Sequence, residues 1–293
     1  NHKADIIYSR DEWPLYFLSF FKNNLFFEAH RFSKHRKFFY KRFKNKNFKI
    51  IVITKRLKDD FIKIGFKEEK ILVAPDGVDL VEFDVGISKE EARNKVDLPL
   101  DKKIIMYTGH LFEWKGASAL LEVARNFQFS IFNFQRKEEK PLFVFVGGTD
   151  YDVEKFRKKA EGLDNVLILG HKPHKNIPFF LKAADVLVLP NSAKEEISRS
   201  YTSPLKLFEY MASKEPIVAS DLPSVREVLN ETNSLLVKPD NPDVLTEGIN
   251  KILNDLELAK NISNKAFQDV QRYTWLKRAG SIINFSNLTN SSF

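Results

Sequence analysis

The sequence predicts an α/β protein of two domains, each a doubly wound parallel sheet with helices on both faces. Three observations predict it. From Lys102 onward, short β-branched or aromatic strands alternate with helical patterns, with little chain between them. Residues 5–83 carry a weaker version of the same alternation. Between the two lies Pro75–Val85, where Asp76-Gly77 supplies a turn signal. A chain of 293 residues can bury two cores of ordinary size, and two domains offer a cleft.

In chain order, the first domain is expected to hold strands at Ile6–Tyr8, Leu25–Glu28, Lys49–Ile53 and Ile71–Ala74, with helix-like segments between them. The second is expected to hold strands at Ile104–Tyr107, Leu142–Val146, Val166–Leu169, Val186–Leu189, Ile217–Ala219 and Leu235–Val237. Its helices are expected at Ala117–Asn126, Val153–Ala160, Ile177–Ala183, Leu205–Ala212 and Val225–Leu229. Helical spacing then continues through Asp243–Asp255, Leu258–Tyr273 and Trp275–Asn287. The domain reading is 1–84, 85–272, and a terminal segment 273–293 that packs back toward the first domain. Ligands of such sheets bind beyond the carboxyl ends of the strands, so the loops after Tyr107, Val146, Leu169 and Leu189 are the places to search.

Composition narrows the classes. There is no cysteine, which excludes disulfides, thiolate metal sites and a cysteine nucleophile, and agrees with a cytoplasmic setting. The longest nearly uncharged apolar stretch, Trp13–Phe21, is far short of the ~20 residues that span a bilayer. The net charge of +8 is concentrated: twelve Lys and Arg and no Asp or Glu lie between Arg31 and Lys58, which leaves the rest net acidic. Phe32, Phe39 and Phe43 recur there at helix-compatible spacing. That stretch either packs its phenylalanines on its own domain or meets an anionic membrane surface, peripherally at the inner face. No nucleic-acid module surrounds it, so nucleic acid is not an expected partner. The Asn-x-Ser/Thr sites at Asn230, Asn261, Asn287 and Asn290 fit chance in a Lys- and Asn-rich chain.

The stretch "YTSPLKLFEYMAS" (201–213) carries the chemistry. Ser203 is a favoured N-cap and Pro204 suits the first helical position, so the amides of Leu205, Lys206 and Leu207 are expected to point out of the helix start. Free amides and the helix dipole make an anion site. Glu209 lies inside this apolar helix, where a carboxylate is costly without donors. A ribose diol supplies two. The pair of features reads as a nucleotide: phosphates at the helix start, ribose on Glu209.

"SPLKLFEYMASKEPIVASDLPSVREVL" (203–229), "YTGHLFEWKG" (107–116), "APDGVD" (74–79), "NVLILG" (165–170) and "AADVLVLP" (183–190) together resemble a retaining glycosyltransferase of family 4, the glycosyl transferases group 1. The resemblance implies the GT-B fold: two Rossmann-like domains facing across a cleft, the N-terminal one incomplete because the chain is truncated before its opening strand and glycine-rich loop. It implies that Glu209 holds the donor ribose and that Lys115 binds the pyrophosphate. Gly109 and His110 stand in the same loop, His110 where many members have arginine. Gly147 matches the family's glycine pair, and Gly170, His171 and Lys172 match the loop that packs on the base. His30, in "FFEAH", stands where the family presents a histidine to the transferred sugar, so His30, Lys115 and Glu209 are the catalytic candidates. One departure is sharp: the family's first glutamate falls at Tyr201, with Glu195 and Glu196 the nearest carboxylates in sequence.

The function so implied is transfer of a sugar from a nucleotide diphosphate sugar to an acceptor hydroxyl with retention. No metal ion and no cofactor is expected. The acceptor would be a glycan or lipid-linked molecule, in cell-surface glycan or glycolipid synthesis. The rivals are a nucleotide-sugar epimerase of the same fold and an inactive or partner-dependent nucleotide-sugar-binding subunit.

Overall fold

The computed structural model describes residues 6–129 and 140–286, and these form two compact units. The first unit is built from the chain up to Gly77, Ser200–Ser203 and the chain from Tyr273 on; the second comprises Val78–Arg199 and Pro204–Arg272.

The first unit opens with β1 (Ile7–Ser9), α1 (Glu12–Leu18), β2 (Leu25–Ala29), α2 (Lys37–Asn45), β3 (Lys49–Val52), α3 (Lys55–Lys63) and β4 (Ile71–Val73). Its sheet has the order β1-β2-β3-β4, and every pairing is parallel. Two neighbouring strands, Leu25–Ala29 and Lys49–Val52, are buried along almost their whole length, as near-continuous apolar runs require when both faces of a parallel sheet are covered. Thr54 caps α3 by accepting from the Leu57 amide. Of the aromatic residues on the basic helix α2, Phe39, Tyr40 and Phe43 enter the core with Phe27, Phe48 and Phe61, while Phe38 stays exposed.

The second unit runs α4 (Leu80–Phe83), α5 (Lys89–Lys95), β5 (Ile104–Thr108), α6 (Ala117–Phe129), β6 (Leu142–Val146), α7 (Asp150–Lys159), β7 (Val166–Gly170), α8 (Ile177–Ala183), β8 (Val186–Leu189), α9 (Leu205–Ala212), β9 (Ile217–Ser220), α10 (Pro223–Arg226), β10 (Leu235–Val237), α11 (Pro242–Asn254) and α12 (Leu256–Val270). The last helix, α13 (Trp275–Ser286), returns to the first unit, where Ile282 and Phe285 pack on Phe26 and Ile51. Asn287, expected at its end, lies outside the described residues, as does Asn290.

All six strands of the second sheet are parallel, in the order β10-β9-β8-β5-β6-β7. The winding direction reverses between β5 and β8, so the loops leaving these two strands part and open a crevice at their carboxyl ends. Expected and observed strands agree to within a residue at each end. The helices differ more. Val225–Leu229 is a shorter turn, Pro223–Arg226, started by its proline. A π-turn at Ile197–Tyr201, invisible to 3.6-residue periodicity, precedes α9.

Candidate functional site

A pocket of about 750 Å³ occupies that crevice, within the size range of small-molecule sites. Each of four loops contributes: Gly109, His110 and Lys115 after β5; Gly147 and Asp150 after β6; His171, Lys172 and His174 after β7; and Pro204, Leu205, Lys206 and Glu209 at the start of α9.

Backbone contacts hold the loops together. The Gly109 amide donates to the Val146 carbonyl at 2.8 Å, and the Gly147 amide donates to the Gly170 carbonyl at 2.7 Å. Gly147 has φ +118°, and a Cβ there would lie 2.4 Å from the Gly109 carbonyl oxygen, so only glycine lets the two loops touch. Gly116, directly after Lys115, has φ +79°, and its Cβ would meet the Pro190 carbonyl oxygen at 1.7 Å. The Lys115 turn is thereby pressed onto the end of β8. Beneath the pocket, the Thr108 amide donates to the Tyr210 hydroxyl at 2.9 Å, and the buried Tyr107 hydroxyl donates to the His110 carbonyl at 2.5 Å.

The start of α9 corrects one expectation. Pro204, not Ser203, occupies the capping position, and no side chain caps the helix. The Ser203 hydroxyl oxygen instead accepts from the Asp76 amide within the first unit, and the helix starts from Pro204, which is extended at φ −74° and ψ 124°. The Leu207 amide is also spent, donating to the Pro204 carbonyl at 2.9 Å. The amides of Leu205 and Lys206 find no acceptor among the described residues and stand at the mouth of the pocket.

Two lysines and a carboxylate face this helix start. Lys115 is half-buried, and burial lowers its pKa from the ordinary lysine range. Lys206 is 6 % exposed, and its Nζ has no hydrogen-bond partner among the described residues. Burial, with Lys115 adding repulsion, holds Lys206 well below the ordinary range, against a smaller pull from Glu209. Glu209 has a nearly covered side chain, and burial raises its pKa against the opposing hydrogen bond from His174.

His174 was not legible as a site residue. Its Nε2 lies 3.2 Å from Glu209 Oε1 and its Nδ1 3.0 Å from Glu82 Oε1. A ring that donates to a carboxylate at each nitrogen is an imidazolium. Burial works against that charge, but the hydrogen bonds and charges of Glu209 and Glu82 outweigh it, so the His174 pKa is raised. The signal for it was the second histidine of "GHKPH", three residues past His171.

The remaining candidates fall outside the pocket lining. Gly170 lies beneath it as the acceptor for Gly147. His30 belongs to the first unit, at the end of β2, where its Nε2 is 2.5 Å from Glu28 Oε1. Glu28 also accepts from Arg10 and from Arg278. Tyr201 packs in the first unit's core and donates to Asp60 at 2.8 Å. Neither Glu195 nor Glu196 lines the pocket, and Glu195 borders a separate depression with Trp114 and Asp240.

The family model described as "Glycosyl transferases group 1" matches residues 88–269. The chain belongs to this family. An uncharacterized glycosyltransferase of Methanocaldococcus jannaschii is 27% identical over 241 residues, covering 80% of this chain and 58% of its own length. A D-inositol 3-phosphate glycosyltransferase of Corynebacterium urealyticum is 26% identical over 235 residues, covering 76% and 52% respectively. The chain thus spans a little over half the length of these relatives. Anabaena HepE, solved in complex with UDP and glucose, superposes with a TM-score of 0.78 at 19% identity over 97% of this chain and 78% of its own. The expected GT-B architecture is borne out at the level of fold. The family match covers the whole pocket, from the Lys115 loop to Glu209.

Proposed function

We propose that the protein transfers a sugar from a nucleotide diphosphate sugar to an acceptor hydroxyl, with retention of anomeric configuration and without a metal ion. One observation carries the reading: Lys115, Lys206, two unpaired amides and Glu209 converge on a single pocket at the switch point of the sheet. A diphosphate fits the cations and amides, and a ribose fits the carboxylate, taking over the place at Glu209 that His174 fills. As the glycosidic bond breaks, negative charge grows on the leaving phosphate, and preorganised cations and amides meet it with little reorganisation. The leaving phosphate oxygen then takes the acceptor's proton on the same face. In this reading His110, His171 and Lys172 border the donor, and His30 serves the transferred sugar.

The acceptor side of the proposal is a glycan or lipid-linked molecule used in cell-surface glycan or glycolipid synthesis, approached from the cytoplasmic face of a membrane. In the first unit, exposed Trp13, Phe17, Phe21 and Phe38 accompany the cations of α2, the composition of a surface that rests on anionic lipid. Among the described residues no helix is long and apolar enough to cross a membrane. Sedimentation with anionic and with neutral liposomes checks this surface; equal binding to both removes it.

A second reading, nucleotide-sugar binding without turnover, is favoured by the position of Tyr201, which leaves the pocket without a first carboxylate. Incubation with UDP-, GDP- and ADP-sugars and a panel of acceptors separates the two. Transfer releases nucleoside diphosphate and yields a product whose anomeric coupling matches the donor's. Binding with no release supports the second reading, and an inverted product removes retention.

A further inference from the structure

Lys206 is out of place by the ordinary rules of burial. A lysine is almost never fully buried unless its ammonium is paired, yet its Nζ lies inside the second unit with no partner among the described residues. The groups around it do not neutralise it. From β5, the Tyr107 ring lies 3.9 Å away, offering only its π face, since its hydroxyl is spent on the His110 carbonyl. From the loop after β5, Lys115 adds charge of the same sign. From its own helix, Tyr210 has its hydroxyl on Thr108 and Glu209 is engaged by His174. The loops after β6 and β7 bring Asp150 on one side and His171 and Lys172 on the other, bordering the pocket rather than pairing with Nζ. Gly109 brings the loop after β5 close to the ammonium: a Cβ there would lie 3.9 Å from Nζ, in ordinary van der Waals contact.

Two lysines and a helix start with open amides thus face one pocket, and the buried Nζ of Lys206 has no partner among the described residues. From this we infer that Lys206 Nζ, with Lys115, is the counter-charge for the diphosphate of the donor, and that donor binding draws one proton from solvent onto Lys206. The balance is simple: the neutral amine of the empty site gains a proton, the buffer loses it, and the ammonium so formed hydrogen-bonds a phosphate oxygen. Burial without a partner disfavours the charged form of Lys206, and burial together with repulsion from Lys115 holds its pKa well below the ordinary lysine range. The inference deepens the nucleotide-sugar reading and rests on it.

Isothermal titration of the whole chain with UDP, GDP and ADP, near pH 8 in two buffers of different ionisation enthalpy, counts protons directly. The expected result is uptake approaching one proton per nucleotide for the native chain. Lys206→Met is expected to abolish that uptake and weaken binding by about 10- to 100-fold, the range of a hydrogen bond to a charged group. Lys206→Arg, which stays charged when buried, is expected to bind with no uptake. Thermal melts establish that each variant is folded, and the native chain alone suffices for the proton count. Nucleotide binding by the native chain with no uptake, or equal affinity in Lys206→Met, overturns the inference while leaving the pocket reading intact. No binding of any nucleotide by the native chain overturns both.

Discussion

Replacing Gly116 by alanine should cripple the Lys115 turn, and the size of the effect can be worked from the backbone. At φ +79° an L side chain costs ~1–2 kcal/mol of conformational strain. The added Cβ would also lie 1.7 Å from the Pro190 carbonyl oxygen, which is backbone at the end of β8 and cannot rotate aside. Ordinary contact requires the turn to retreat by about an ångström or more, and such overpacking adds ~1–3 kcal/mol. A unit of this size loses ~2–4 °C per kcal/mol, so the melting temperature should fall by about 4–20 °C. Displacing Lys115 by ~1 Å should cost on the order of 100-fold in turnover. Calorimetric melting reads the first quantity and nucleoside diphosphate release reads the second. A variant that melts within a degree of the native chain and turns over normally would refute the packing argument.

Three further outcomes follow from the same geometry. Lys206→Met should stabilise the empty protein by ~1–2 kcal/mol, since it removes an unsatisfied buried polar group and keeps the apolar stem. A lysine held below its ordinary range costs stability wherever the unfolded chain is protonated, so this advantage should shrink as pH rises toward ~10.4; urea titrations across pH check it. The raised pKa of His174 has the opposite sense: its stabilisation is fully present below pH ~6.5 and is lost as pH rises through the folded-state value. Because its side chain is 62% exposed, His174→Asn should cost less than ~1 kcal/mol, with the difference from the native chain vanishing at alkaline pH. Tyr201→Phe should cost ~0.5–1.5 kcal/mol through the lost bond to Asp60 yet leave nucleotide affinity within about twofold, as titration calorimetry will show.

The strands were legible because their apolar runs are bounded by turn residues and their spacing from helical patterns is regular, as at Leu142–Val146 and Val186–Leu189. Most of the pocket was legible for the same reason: once the sheet is parallel, Lys115, Gly147, His171 and Glu209 must gather at one end. What escaped notice depends on long-range contact. Ser203 looks like an N-cap in its own neighbourhood, and only the Asp76 amide, far away in sequence, shows otherwise. Tyr201 was legible as a departure, but its burial against Asp60 depends on α3. His174 is one of several polar residues in a loop, and its pairing with Glu209 and Glu82 joins three separate segments. Lys206 did leave a trace: α9 is apolar nearly all round, which implies a buried helix and therefore a buried lysine.

The central claim is that the pocket at the β5/β8 switch point holds the diphosphate and ribose of a nucleotide. Titration calorimetry of UDP, GDP and ADP against the native chain, Lys115→Ala and Glu209→Ala tests it most directly. The account predicts that at least one nucleotide binds and that each substitution weakens it by about tenfold or more, as loss of a charged hydrogen-bond partner requires. Unchanged affinity in both variants would contradict it.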